Sequence, residues 1–480
     1  MSKLTRIIIK GGVIAPAELR SIAEQAGDAG LKAISFGSRQ DILFPRKLSK
    51  EQLNNFHGID IIPENESGTE NIVSSYVSAG IFNGIPWLTG DTYLYILEQF
   101  RYNPKLKINI TDPKQRLVPL FTGHLNFLAC EQEDYWYLYV KLPGWKQAEL
   151  YPVLIYSWDI SKVSQMAESL LSEEPEDIET LFQLLSDSLE TNSRNLKDIP
   201  EIPFHPFPYY EGMNRVDEGN YWLGLYWRNN LYDIDFLLEM CDLCAECKIG
   251  KIAITPWKSF IIKGIPSRFK LKWEKFLGLR GINVRHSMLE LNWHIPVSDK
   301  DALKLKKFLV RKFDEKDIST YGLTFAIADH DYQPDYFTSV VIRKNPVQQI
   351  EGVTLNATYN LLYAKNFDPN SRSYLTHVQE ISREHLPDLL IELSKKYFKE
   401  LKEFRPGEQP VTHNKEKEPV SIKVMQCSSC LTVYDPKYGD PDNGIPRNTA
   451  FADLPETWSC PVCDSSKSDF TETELKSILK

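Results

Sequence analysis

Cys427-Ser428-Ser429-Cys430 and, after a further 29 residues, Cys460-Pro461-Val462-Cys463 are two C-x-x-C knuckles in a chain of 480 residues. Each short loop can aim two sulfurs at one ion, and the long insert folds back to join the two pairs. The spacing therefore predicts a tetrahedral four-thiolate metal site. Thiolates suit both iron and zinc, so the knuckles alone leave the metal open.

The insert narrows the choice. Tyr434-Asp435, a turn that runs Gly439-Asp440-Pro441-Asp442-Asn443-Gly444-Ile445, then Thr449, Phe451, Leu454-Pro455, Trp458 and Phe470 follow in order. On these residues the segment 421–475 resembles a rubredoxin domain. A generic zinc ribbon has no use for such an acidic turn or for the aromatic trio. The resemblance implies a small aromatic core beside the metal and one iron per chain, held by Cys427, Cys430, Cys460 and Cys463 and cycling between ferric and ferrous states. Leu431 and Asp464 stand where rubredoxins usually place glycine, so that backbone N–H groups can turn toward the sulfurs, and Asn448 replaces another usual glycine. Asp accepts a left-handed backbone better than Leu does. These departures are expected to alter the reduction potential and not to abolish metal binding. A non-catalytic scaffold held by zinc is the alternative.

With 42% hydrophobic residues the chain is globular and long enough for two to four domains. A net charge of −9 speaks against nucleic acid as the main partner. The first ten residues contain only a short apolar run, unlike a secretory signal. Nowhere do about eighteen apolar residues run together, so no membrane span is expected. Four of the eight cysteines lie in the metal spacing. The others are expected as free thiols in a reducing cytoplasm.

Upstream, residues 5–65 read as strand 6–10, a Gly11-Gly12 turn, helix 16–26, strands 33–36 and 41–44, helix 49–56 and strand 59–63, a ferredoxin-like order. About 218 residues later the order returns as strand 221–227, helix 233–248, strands 251–255 and 259–263, helix 268–279 and strand 283–295. Such a return marks an internal duplication. Between the copies, strands are expected near 93–100, 106–111 and 135–142, with helix through 160–191. After the second copy come a helix near 301–313, strands near 323–327 and 337–343, and an amphipathic helix at 385–404. The expected fold class is α+β, with ferredoxin-like units at 1–65 and 216–297, each followed by a larger α+β unit at 66–215 and 298–404. A proline-rich charged linker at 405–420 then tethers the metal module at 421–480.

Gly11-Gly12-Val13-Ile14-Ala15-Pro16 and Gly37-Ser38-Arg39-Gln40-Asp41-Ile42 resemble the ferredoxin-like half-domain of sirohaem-dependent nitrite and sulfite reductases. In the second copy Thr255-Pro256-Trp257-Lys258 resembles a variant of the same turn. Lys105-Leu106-Lys107-Ile108-Asn109-Ile110 sits where that family has the strand leading into its larger domain. The resemblance covers residues 1–400 and implies a tetrapyrrole cleft served by Arg39 and Lys258, with Arg285, His286 and His124 as further candidates. A guanidinium can meet a carboxylate with two parallel hydrogen bonds. The plain alternative is a surface Arg39 paired to Asp41.

The family holds a four-iron cluster with cysteines that follow the second ferredoxin-like unit, yet no cysteine occurs from Lys248 to Gln426. Without those thiolates neither the cluster nor the sirohaem's axial ligand can be supplied in the family's way. Sirohaem is thus implied by the resemblance and opposed by the missing ligands, and the body is not expected to be a stand-alone reductase. Cys241, Cys244 and Cys247 form C-x-x-C-x-x-C on a helical stretch shared with Leu237 and Leu238, as core residues do, and Cys130 lies in an apolar strand. The function expected is one-electron transfer by an iron module to or from a redox protein partner, such as a nitrite or sulfite reductase, with the body docking the partner or holding a tetrapyrrole. The alternative is a sirohaem nitrite or sulfite reductase fed by the rubredoxin iron.

Overall fold

Pro16 opens the helix Pro16–Asp28 in its first turn, where a missing N–H costs nothing. Leu19, Ile22, Ala23 and Ala26 then bury one face at helical spacing. The same helix recurs at an offset of 218 residues as Ile234–Glu246, capped by Asp233, whose carboxylate accepts the Phe236 N–H. In this computed structural model the described residues are 4–58, 61–62, 68–197, 199–202, 204–217, 219–282, 284, 289–329, 336–346, 349–350, 353–354, 356–403, 421–430, 432–436, 438–440 and 443–476. They divide into two compact units, residues 1–400 and 401–480.

In the first unit the two ferredoxin-like copies exchange strands. Val13–Ile14 leaves its own copy and pairs with Ile252–Ile254, Ile14 opposite Ile252. Reciprocally, Tyr232–Asp233 pairs with Ala33–Phe36, Tyr232 opposite Ile34. Each five-stranded sheet thus carries one strand from the other copy. The two long helices pack together over one shared core, in which Leu19, Ile22, Phe36, Leu237, Met240, Phe260 and Trp273 are buried. The exchange begins at Gly11 and Gly12, with φ of 62° and 69°. A Cβ on Gly12 would lie 2.7 Å from the Gln40 side chain, so only glycine lets the chain turn there.

Each copy feeds a larger sheet. In the first, Ile72–Ser74, Ile108–Thr111 and Leu125–Ala129 run parallel, and Tyr135–Val140 returns antiparallel. In the second, Trp293–His294, Phe325–Ala328 and Val340–Lys344 run parallel, and Tyr359–Ala364 returns. The duplication therefore extends beyond the ferredoxin-like parts.

Two expected strands are corrected. Residues 93–98 lie in the helix Gly90–Glu98, which Gln99 caps, because the Thr89 hydroxyl accepts the Thr92 N–H as an N-cap and Tyr93, Ile96 and Leu97, with Phe100 just beyond the end, are buried. Of the expected strand 283–295, residues 283 and 285–288 lie outside the described residues, and the described part does not pair into the second ferredoxin-like sheet. Its Trp293–His294 instead starts the larger sheet beside Phe325–Ala328, where the Trp293 ring stacks on Phe325 at 4.8 Å between centroids.

In the second unit, Ser421–Cys427 is the central strand between Val433–Tyr434 and Phe470–Lys476. Tyr434, Trp458 and Phe470 are buried with Phe451 packed against them, and the Trp458 Nε1–H donates to Asp440 Oδ2 at 2.9 Å. Residues 405–420, read as a tether, lie outside the described residues, as do Leu431, Arg285 and His286. Among the described residues no helix is long and apolar enough to cross a membrane.

Candidate metal centre

Cys427 ends the central strand of the second unit, and its N–H donates to the Thr432 carbonyl at 2.8 Å. Cys460 repeats this bond with Ser465, also at 2.8 Å. Each knuckle is thereby closed into a tight ring with its two sulfurs on one side. The sulfurs of Cys427 and Cys463 lie 3.7 Å apart, those of Cys430 and Cys460 3.5 Å apart, and all four fall within 4.8 Å of one another. Metal–sulfur bonds of about 2.3 Å in a tetrahedron require sulfur–sulfur edges of about 3.8 Å. The four cysteines are positioned to bind one iron.

The sulfurs differ in surroundings. Cys427 and Cys460 are buried, Cys430 is partly exposed and Cys463 is exposed. A hydrogen bond with the Thr432 side chain, joined by its backbone N–H, holds the Cys430 thiol down to about 6. Burial pushes Cys460 up to about 11. The low-lying thiol favours loading, since a metal takes the thiolate and releases the proton. Asp464 and Asn448 adopt left-handed backbone, φ 58° and 66°, in the places where a glycine was missed.

The remaining cysteines are core residues. Cys241, Cys244 and Cys247 are buried in the shared core of the first unit, where burial pushes Cys241 up to about 12. Cys130 is buried beside Tyr135 and Leu154.

The two turns expected to hold a tetrapyrrole share one backbone. Gly37 and Thr255 each donate to the residue four later, Asp41 and Ser259, at 2.9 Å, and Gln40 and Lys258 each donate back to Gly37 and Thr255. Arg39 points inward. One of its terminal nitrogens donates to Asn109 Oδ1 at 2.7 Å and the other to the carbonyls of Asn71 at 2.6 Å and Ile108 at 3.0 Å. Burial lowers its pKa to about 10. It is not paired to Asp41, whose partner is Arg6 at 3.8 Å. Both terminal nitrogens are bonded to the protein and, among the described residues, only Nε lacks a hydrogen-bond partner, so in this structure Arg39 presents no pair of free nitrogens to a bidentate carboxylate.

Lys258 is buried, and among the described residues its Nζ has no hydrogen-bond partner. Its neighbour Trp257 packs on Phe207 and Phe337 and donates from Nε1 to the Leu117 carbonyl at 2.7 Å. His124 accepts the Lys107 N–H on Nδ1 at 3.0 Å, a structural role within the larger sheet. Sequence reasoning missed Gln40, whose amide donates to the carbonyls of Ser74 and Ile254 and accepts the Ser74 N–H at 2.8 Å. Its place opposite Lys258 in the duplicated turn is the signal that marks it.

Comparison with known proteins divides the chain in the same way. The rubredoxin family model matches residues 424–470. The chain is 45% identical over 62 residues to the high molecular weight rubredoxin of Moorella thermoacetica, covering 13% of this chain and 27% of that protein. It therefore spans about a quarter of the length of that relative. Over 51 residues it is 45% identical to rubredoxin-2 of Chlorobaculum tepidum, covering 11% of this chain and 98% of that protein. A solved structure of the NirA protein of Mycobacterium tuberculosis superposes with a TM-score of 0.64 at 14% identity, covering 86% of this chain and 81% of that one. At that identity the likeness is one of fold.

Proposed function

Because this chain belongs, through its C-terminal domain, to the rubredoxin family, we propose that it carries single electrons between protein partners and that its larger body docks one of them. The observation that carries this reading is the tetrahedral set of four sulfurs, with Cys427 and Cys460 sealed in the aromatic core and Cys463 at the surface. Iron, when bound there, supplies a one-electron ferric–ferrous couple. The residues supply the rest. The knuckle rings and the sheet hold the sulfurs in place in both oxidation states, Trp458 and Tyr434 keep water from the buried pair, and the edge at Val462 and Cys463 lets a partner approach.

The setting we propose is a nitrite or sulfite reductase system in the cytoplasm. Its support is the reductase-type fold of the body, together with a cysteine-free stretch from Lys248 to Gln426 that leaves no thiolates for a cluster. We also propose the division into 1–65, 66–215, 216–297, 298–404, 405–420 and 421–480, with Trp293–His294 at the end of the third segment pairing into the sheet of the fourth. A visible spectrum with metal analysis of the purified full-length chain tests the reading. A red protein with one iron per chain that bleaches on one-electron reduction is expected. A green sirohaem spectrum with nitrite or sulfite turnover supports the alternative enzyme, and colourless zinc protein refutes electron transfer.

A further inference from the structure

The two knuckles repeat one another at an offset of 33 residues, Cys427, Cys430 and Thr432 corresponding to Cys460, Cys463 and Ser465. Both therefore place a hydroxyl residue two positions after their second cysteine, and the N–H of the first cysteine pins that residue by its carbonyl. Each hydroxyl then folds back onto a sulfur. Thr432 Oγ1 lies 3.1 Å from Cys430 Sγ, and Ser465 Oγ lies 3.2 Å from Cys463 Sγ. Among the described residues neither hydroxyl has another hydrogen bond. A metal-bound sulfur is a thiolate with no proton to give, so in the loaded site each hydroxyl is the donor.

These are the two sulfurs nearer to solvent. The buried pair rests on backbone donors, as with the N–H groups of Ser429 and Cys430 toward Cys427.

We propose that Thr432 and Ser465 set the reduction potential of the iron centre through these paired O–H···S hydrogen bonds. A one-electron protein donor passes an electron to the ferric site, no bond forms or breaks, and the four-thiolate centre gains one negative charge. Part of that charge rests on the sulfurs. A hydroxyl aimed at a sulfur therefore stabilises the reduced form more than the oxidised form and raises the potential. Thr432 has the larger effect, because water can replace the serine donor at exposed Cys463 but has less access to Cys430. The inference rests on iron being the resident metal.

The test is a redox titration of the full-length chain followed by its visible absorbance, with resonance Raman spectra of the iron–sulfur stretches. Thr432→Val should shift the reduction equilibrium about tenfold toward the oxidised form, which is about 59 mV downward for one electron. Ser465→Ala should move it the same way by less, and Thr432→Ser should keep the wild-type value. The stretches should rise in frequency in the variants that lose the hydroxyl. If Thr432→Val does not hold iron, Thr432→Ala and Ser465→Ala give the same reading. Iron-loaded variants that keep the wild-type potential overturn this inference alone, whereas a wild-type chain that purifies with zinc overturns it together with the electron-transfer reading.

Discussion

Lys258 occupies the left-handed position of its turn, φ 60°, with 5% of its surface exposed and, among the described residues, no hydrogen-bond partner for Nζ. Gln40, at the matching place with φ 59°, satisfies its side-chain amide with backbone groups. Burial, with Lys306 adding to it and Asp41 and Asp299 opposing, pulls the Lys258 ammonium down to about 7. An ordinary lysine titrates near 10.4, and each pH unit is worth about 1.4 kcal/mol, so the folded body carries a penalty on the order of 5 kcal/mol. Because the folded pKa lies below the unfolded one, the penalty is complete below about pH 7, shrinks as the pH rises toward 10.4 and vanishes above it. Lys258→Met keeps an unbranched stem of similar length and removes the charge. We expect it to stabilise the protein by roughly 2–4 kcal/mol at pH 6, with the gain fading toward zero near pH 10. Urea unfolding followed by tryptophan fluorescence at pH 6, 8 and 10 measures this. A methionine variant less stable than wild type at pH 6, or a gain that ignores pH, would show that Nζ makes a favourable contact in the folded protein and would refute the reasoning.

Arg39→Ala should destabilise the body by about 3 kcal/mol, since it strands the Asn71 and Ile108 carbonyls and the Asn109 amide oxygen, and Arg39→Lys should not restore the loss. Urea unfolding reads the effect, and the iron spectrum should stay unchanged. Cys430→Ser and Cys460→Ser should remove or severely alter the chromophore, whereas Cys244→Ala should leave iron content and spectrum as they are; metal analysis and absorbance separate the two outcomes. A fragment of residues 421–480 should fold and keep one iron, because Tyr434, Trp458 and Phe470 build its core from within, and loss of iron from that fragment counts against an independent module.

The metal module was legible because tetrahedral ligation compresses into local spacing: two sulfurs per knuckle, one turn and one aromatic core, all within a few dozen residues. The helices Pro16–Asp28 and Ile234–Glu246 were legible for a related reason, as helical periodicity is local too. The run Tyr93-Leu94-Tyr95-Ile96-Leu97 misled because aromatic and aliphatic residues in sequence suit a strand, and the deciding signal was the small Thr89 cap. The strand exchange left no trace in the sequence. Val13–Ile14 is two residues long, and its partner is fixed by a pairing with Ile252–Ile254 far along the chain. Arg39 was found as a residue but not as a clamp, since its acceptors are mostly backbone carbonyls that any sequence would supply.

The duplicated turn shows how one backbone came to do two jobs within the body. Gly37-Ser38-Arg39-Gln40-Asp41 and Thr255-Pro256-Trp257-Lys258-Ser259 close with the same pair of backbone bonds, so the loop geometry is set before any side chain acts. From the first turn Arg39 reaches the strands Ile72–Ser74 and Ile108–Thr111 through their flanking and internal backbone, and Gln40 ties Ser74 to Ile254 of the other copy. From the second turn Trp257 reaches Leu117 in the same larger unit. The terminal nitrogens of Arg39, the Gln40 amide and the Trp257 indole are here spent on joining the body's parts, whereas Lys258 Nζ is not. Among the described residues these bonds tie the body's parts, and its two copies, together through backbone acceptors. The redox step falls to the four thiolates, whose core and hydrogen bonds lie within their own unit.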